Sequence, residues 1–185
     1  AEILSDRVRQ ELCPNKATAS EWLEVQRTAH KMGIRSNASM LYGHIETLEE
    51  RVDHLLSLRA LQDETGGFQT FICFPFHPGN TELEATHQRT SLWDELKTMA
   101  ISRLMLDNFS NIKAYWVMLT LPIAQLALGF GANDIDGTVS EEKIMHAAGA
   151  KSATFLTQET IIETIRQIGR VPVERDSMYQ IIRTL

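Results

Sequence analysis

A chain of 185 residues and 20.9 kDa is the size of one ordinary domain, and 43% apolar with 23% charged residues supports a sizeable core, which excludes collagen-like, disordered and low-complexity chains. The 18 Lys and Arg against 24 Asp and Glu leave a net charge of −6, against the clustered basic face that nucleic acid requires. No apolar run nears the roughly 20 residues that span a bilayer, no signal segment opens the chain, and Cys13 and Cys73 form neither a disulfide scaffold nor a CxxC pair. A reduced, cytoplasmic setting with no membrane or nucleic-acid partner is expected.

The opening residues, Ala1 to Leu4, read as the tail of a preceding element. Thr18 and Glu21 have capping-box spacing, and Trp22, Val25, Gln26, Ala29 and Met32 follow at helical intervals until Gly33. Ile34 to Tyr42 is strand-like. Thr47 and Glu50 cap a second helix, with Val52, Leu55, Leu56 and Leu58 to Leu61 as its expected buried stripe and Gly66-Gly67 as its stop. Phe68 to Phe76 is a continuous apolar, aromatic and β-branched run, the pattern of a strand covered on both faces.

A polar loop follows from His77 to Thr90. Ser91 then caps a helix carrying Leu92, Leu96, Met99, Ala100 and Leu104. Ile112 to Leu119 reads as another buried strand, and Pro122 opens a short helix ending near Gly129. Asn133 to Thr138 is a brief strand end. Ser140 and Thr157 cap two last helices, the first running to Ala148 and the second closed by Gly169.

Strands alternating with helices imply parallel pairing through right-handed crossovers. About four βα units are present, half of a (β/α)8 TIM-type barrel, so the fold class is α/β: a half barrel over residues 1–150 and a helical C-terminal extension over 151–185. Such a half barrel leaves two open sheet edges, through which self-association is conceivable.

Barrel enzymes place their reacting groups at the C-terminal ends of strands. Three polar clusters fall there: Tyr42, Gly43, His44 and Glu46; His77, Asn80 and Thr81; and Asn133, Asp134, Asp136 and Thr138. Gly43 serves turn geometry or ligand approach, and His77 before Pro78 is either a loop histidine or a site group. Asp and Asn favour turns, but two carboxylates, an amide and a hydroxyl crowded at one strand end are the signature of a site. Asp107-Asn108 reads as a helix end and turn on the opposite face. His30, His54, His87 and His146 lack ligand-spaced partners and read as surface or internally satisfied. No HExxH, GxGxxG, P-loop or GxSxG motif occurs, and no metal ligands are assigned.

Five blocks carry a specific resemblance: SNASMLYGHIETLEERVDHL, FPFHPGNTELE, LMLDNFSNIKAYWVML, GANDIDGTVSEEKIMHAAGA and GRVPVERDSMY. In order and spacing they resemble the menaquinone-pathway radical S-adenosylmethionine enzymes, the aminofutalosine synthase family above all. Cyclic dehypoxanthinyl futalosine synthases and deazaflavin-precursor synthases are its relatives. The resemblance runs from residue 1 to about 183 and implies barrel strands five to eight plus the C-terminal extension.

It implies a 4Fe–4S cluster, S-adenosyl-L-methionine, and a reductant such as flavodoxin or ferredoxin. The CxxxCxxC cluster loop would lie in the other barrel half, so this stretch alone is expected to be inactive; Cys13 and Cys73 cannot replace three thiolates on one loop. The implied reaction adds a 5′-deoxyadenosyl radical to 3-((1-carboxyvinyl)oxy)benzoate, giving aminodeoxyfutalosine. By the same resemblance Glu2, Tyr42, Gly43, His44 and Glu46 would hold the cofactor. His77, Asn80, Thr81, Asn133, Asp134, Asp136 and Thr138 would hold substrate, with Arg35 and Lys113 as candidate cations for its carboxylate. Arg175, Asp176 and Tyr179 read as packing or ion-pair residues of the extension. The polar tips of Tyr42, His77 and Asp134 are then expected around one nucleoside-sized hollow. The rival reading is a cluster-free α/β module that binds a nucleoside without catalysis.

Overall fold

The computed structural model describes residues 2–139, 147, 152, 153 and 155–185. Helix α1 (Asp6–Leu12) leads into α2 (Ala19–Lys31), which starts where Thr18 accepts the Glu21 N–H while the Glu21 carboxylate accepts the Thr18 N–H at 2.8 Å. Strand β1 (Ser36–Tyr42), helix α3 (Leu48–Thr65) and strand β2 (Phe68–Pro75) form the first crossover. The Thr47–Glu50 box opens α3, and Gly66, at φ +59°, ends it in the left-handed conformation that glycine adopts freely.

Helix α4 (Leu92–Met105), capped by Ser91, returns the chain to β3 (Ile112–Ala114). Short helices α5 (Trp116–Leu119) and α6 (Leu121–Ala127) precede β4 (Asp134–Ile135). Helix α7 (Gln158–Gln167) and an antiparallel hairpin, β5 (Val173–Arg175) and β6 (Ile181–Thr184), complete the described chain. The helix expected over Ser140–Ala148, with His146, lies outside the described residues except for Ala147.

The sheet is parallel throughout, in the order β1-β2-β3-β4. Glu2 makes an isolated parallel bridge to Leu41, so the opening residues lie beside β1 as the end of a strand would. This α/β half barrel is the expected fold. Its core fills the space between one sheet face and the helices: Ala38, Met40, Phe71, Cys73, Ile112 and Ala114 meet Leu55, Leu58 and Met99. His54 joins this core fully buried. Its Nδ1 accepts the Leu4 N–H at 3.1 Å, and burial pushes its pKa down to about 3. Among the described residues no helix is long and apolar enough to cross a membrane.

Three sequence expectations change. Ile112 to Leu119 is not one strand, because the chain leaves the sheet after Ala114 and Trp116 to Leu119 form a fully buried helical turn. A run apolar at every position but Lys113 has no periodicity to separate the two conformations. The extension is not purely helical, since the β5–β6 hairpin follows α7. Finally, Val52 and Leu56 of the expected α3 stripe are exposed rather than buried.

Candidate functional site

Side chains alternate across a strand, so the register assigns every sheet residue to one of two faces. Ser39 pairs with Ile72, Ile72 with Lys113 and Lys113 with Asp134; these four share a face, and Leu41, Phe74 and Tyr115 follow them by parity. Met40, Tyr42, Phe71, Cys73 and Ala114 point the other way, into the helix-packed core. The first face is the inner wall of the half barrel, and its β1 and β2 residues are only half-buried.

Tyr42 therefore does not join Asp134 at a common hollow. Its ring lies fully buried on the helix side under the Arg51 guanidinium, 4.8 Å from the ring centroid, and burial pushes its phenol well above the usual range. The turn that follows is closed on itself. Gly43 sits at φ +89°, and a Cβ there would come within 2.2 Å of the Thr90 methyl, so the close neighbour requiring glycine is Thr90. The Glu46 carboxylate accepts the Gly43 N–H at 2.6 Å, the His44 N–H at 2.9 Å and Arg51 Nε at 2.7 Å. Burial disfavours its charge, yet the His44 ring and the Gly43 and His44 N–H groups hold its pKa at about 2. The His44 ring bridges Glu46 and the Leu41 carbonyl. Arg51, which the sequence reading missed, also forks onto Asp94 at 3.0 Å.

At the sheet's other edge lies a second cluster. Lys113 Nζ, almost completely buried, is 2.6 Å from Asp136 Oδ1 and 3.8 Å from Asp134 Oδ2. Burial alone would lower its pKa, but the two carboxylates raise it above the ordinary lysine value. Asp134 accepts a bidentate pair from Arg175 of the hairpin, at 2.6 and 2.8 Å. The Arg175 guanidinium stacks 3.9 Å from the Tyr179 ring centroid, with Lys113 Nζ 5.9 Å from the same centroid. Tyr179 is held at φ +64°, and its buried hydroxyl has no hydrogen-bond partner among the described residues. The cluster borders a cavity of about 810 Å³ between β4, α7 and the hairpin, which Asp136, Thr138, Arg175 and Tyr179 help to line. Here the structure brings together Lys113, Asp134, Asp136 and, at the cavity wall, Thr138; the ion-pair role of Arg175 is as read.

Asn133 lines the same cavity, and the other candidates lie apart. His77 is buried above the sheet, its Nε2 3.0 Å from the Met118 carbonyl, and burial lowers its pKa. Asn80 donates to the Ala147 carbonyl, and the Thr81 hydroxyl donates to the Pro78 carbonyl. Asn133 is bonded to the Ile112 N–H, Arg103 and the Ser110 carbonyl, which makes it a tie at the N-terminal end of β3. Arg35 is exposed just before β1, also at that far end, and faces no strand tip. Glu2 is held by Lys16 at 2.6 Å; burial opposes its charge, but that ammonium keeps its pKa below the ordinary carboxylate value. Asp107 pairs with Arg59, and Asn108 bonds Asp63 and the Arg59 carbonyl, structural roles as read.

An iron–sulfur cluster does not fit these residues. Cys73 points into the core, its Sγ 3.5 Å from Ser102 Oγ and its thiol pushed up by burial to about 12, while Cys13 lies on the separate segment after α1. Among the described residues no group of three or more His, Cys, Asp or Glu is arranged to hold a metal ion. The inner wall instead offers aromatic surface, with Phe74 and Tyr115 edge-on at 5.5 Å, beside a buried cation.

Comparison with known proteins agrees with this architecture. The chain is 48% identical over 186 residues to the aminodeoxyfutalosine synthase of Thermus thermophilus, covering 99% of this chain and 50% of that protein. It is 44% identical to the 5-amino-6-(D-ribitylamino)uracil–L-tyrosine 4-hydroxyphenyl transferase of Archaeoglobus fulgidus (98% of this chain, 53% of that protein), and 46% identical to the transferase of the same name from Methanothermobacter thermautotrophicus (97% and 50%). The chain thus spans about half the length of the curated relatives it matches. Residues 65–185 match the family model described as the CofH/MqnC C-terminal region, and the chain belongs to that family.

Proposed function

We propose that this chain supplies half the substrate chamber of a radical S-adenosylmethionine enzyme that makes aminodeoxyfutalosine. The observation that carries the reading is the inner wall: Lys113, buried in the sheet, shares a face with the Phe74–Tyr115 pair. An aromatic carboxylate matches that pattern, its ring against the aromatic edge and its charge near the ammonium. The 48% identity to an aminodeoxyfutalosine synthase supports the same reading.

In the whole enzyme, a 4Fe–4S cluster held outside this sequence and S-adenosyl-L-methionine, with flavodoxin or ferredoxin as electron donor, would supply the 5′-deoxyadenosyl radical that adds to the enol ether of 3-((1-carboxyvinyl)oxy)benzoate. This chain's own residues bind and orient. Lys113 faces the benzoate carboxylate, and Asp136 and Thr138 accept from or donate to ribose hydroxyls at the cavity wall. The Glu46 turn holds the end of β1 rigid and keeps its own carboxylate engaged.

The deazaflavin-precursor reading rests on the 44% and 46% identities to the archaeal transferases. Anaerobic reconstitution of the full-length protein, followed by mass spectrometry, separates the two. Aminodeoxyfutalosine from the enol-ether substrate supports the first. Transfer of a 4-hydroxyphenyl group from tyrosine to 5-amino-6-(D-ribitylamino)uracil, or a cyclic dehypoxanthinyl futalosine product, overturns it. Lys113→Met is expected to raise KM for the carboxylated substrate at least about tenfold, with a smaller change in kcat, because a charge-assisted contact is removed.

A further inference from the structure

Helices α3 and α4 run side by side in the same direction. Arg51 reaches Asp94 and Thr98 near their N-termini, and Arg59 reaches the Met105 carbonyl near their C-termini. These contacts set the level of every residue on the pair. At about 100° per residue, Leu48, Val52 and Leu56 fall on one strip of α3, on the side toward α4 but turned outward. Trp93, Ile101 and Leu104 fall on the outward strip of α4, with Lys97 between them. The strips form rungs: Leu48 lies level with Trp93, Val52 with Lys97, and Leu56 with Ile101.

All six apolar side chains are exposed, Leu104 at 79%, Trp93 at 70% and Leu48 at 68%. Together they offer on the order of 600 Å² of apolar surface, at the top of what a monomer ordinarily leaves in water and near the ~800 Å² per partner of a standard interface.

From this ladder we infer that the outer face of α3 and α4 is an isologous interface with a second copy of the chain. The position of the helices argues for that occupant. They cross between β1, β2 and β3, the middle of the sheet, whereas strands that completed a barrel would add at its two edges, beside Glu2 and beside β4. Barrel completion therefore leaves this face outside. The charges are also self-complementary. Lys97 sits in the centre of the α4 strip and Asp53 borders the α3 strip at the same level; both are exposed, and among the described residues neither has an ion-pair partner. A two-fold axis along the seam, parallel to the helices, lays α3 of one copy on α4 of the other, running in the same direction. Each rung then keeps its level, and two Lys97–Asp53 pairs form, with Trp93 of one copy against Leu48 of its partner and Ile101 against Leu56.

Sedimentation equilibrium of the full-length protein tests this. The wild type is expected at twice its chain mass, and W93K and L104K are each expected to raise the dimer dissociation constant at least about tenfold, as a charge placed on a large apolar contact does. Their sites are solvent-exposed, and circular dichroism checks that each variant stays folded. The charge pair supplies a test that leaves the apolar surface intact. D53K and K97E are each expected to weaken the dimer, and the double variant D53K/K97E to restore it, because both pairs are then reversed together. A wild-type protein that is monomeric at micromolar concentration overturns the inference. So does a dimer indifferent to W93K and L104K, or a charge swap that fails to restore association.

Discussion

The turn after β1 and the cluster between β3 and β4 are both polar, both partly buried and both at strand ends, yet they are built in opposite ways. Glu46 takes its donors from Gly43, His44 and Arg51, all within five positions along the chain. Asp134 takes its own from Arg175, 41 positions later, and lies beside Lys113, 21 positions earlier. A carboxylate satisfied by its sequence neighbours has its lone pairs occupied before any ligand arrives, and it shapes backbone. A carboxylate satisfied by side chains from distant elements instead ties those elements together. Polarity at a strand end therefore says less about what a side chain does than the sequence distance of its partners.

The sharpest way to break this contrast is Glu46→Ala. The side chain is 1% exposed, and its loss strands two backbone N–H groups and the Arg51 Nε, so the expected cost is about 3 kcal/mol in urea unfolding. The pH dependence follows from the direction of its shift. With a folded pKa of about 2 against an ordinary 4.5, Glu46 contributes stability that is fully present above about pH 5 and lost as pH falls toward 2. Glu46→Gln should flatten that acid limb of the stability curve. An unchanged limb would mean that the turn does not depend on the carboxylate's charge.

Gly43→Ala comes next, with an expected loss of about 2 kcal/mol from a side chain at φ +89° pressed onto Thr90. Thr90→Ser removes the colliding methyl while keeping the hydroxyl that donates to Glu95. In the double variant part of the loss should return, and the remainder is the backbone strain alone. Full recovery would show that φ costs nothing there.

How much of this was readable beforehand divides along the same line. The capping boxes at Thr18 and Thr47, the Gly66 stop and the Phe68–Pro75 strand were legible because each is decided by residues a few positions apart. The face of Tyr42 was not. It follows from the parity of Ser39 with Ile72, Lys113 and Asp134, and parity across strands needs the register. The hairpin was missed because its strands have three and four residues and β6 is exposed along its whole length, which leaves no alternation to read. Arg175 and Tyr179 were noted as residues of the extension, but nothing local showed that they close over Lys113.

Asp134→Asn has the smallest global effect and tests the clamp most directly. Asn keeps the shape of the side chain but removes the charge that Arg175 grips at two points, and with a single acceptor oxygen it cannot reproduce the two-oxygen fork. Because the pair ties only the hairpin to the sheet edge, the expected cost is about 1 kcal/mol, confined to that attachment. Amide exchange should accelerate at Val173–Arg175 and Ile181–Thr184 and stay unchanged in β1 and β2, whose pairing does not involve the hairpin. Arg175→Lys keeps the charge but loses the fork, so it should accelerate exchange at the same amides by a smaller factor. If exchange instead rises evenly through β1 and β2, the clamp is part of the core rather than an attachment to it, and the distinction between a self-contained turn and a network assembled across elements loses its physical basis.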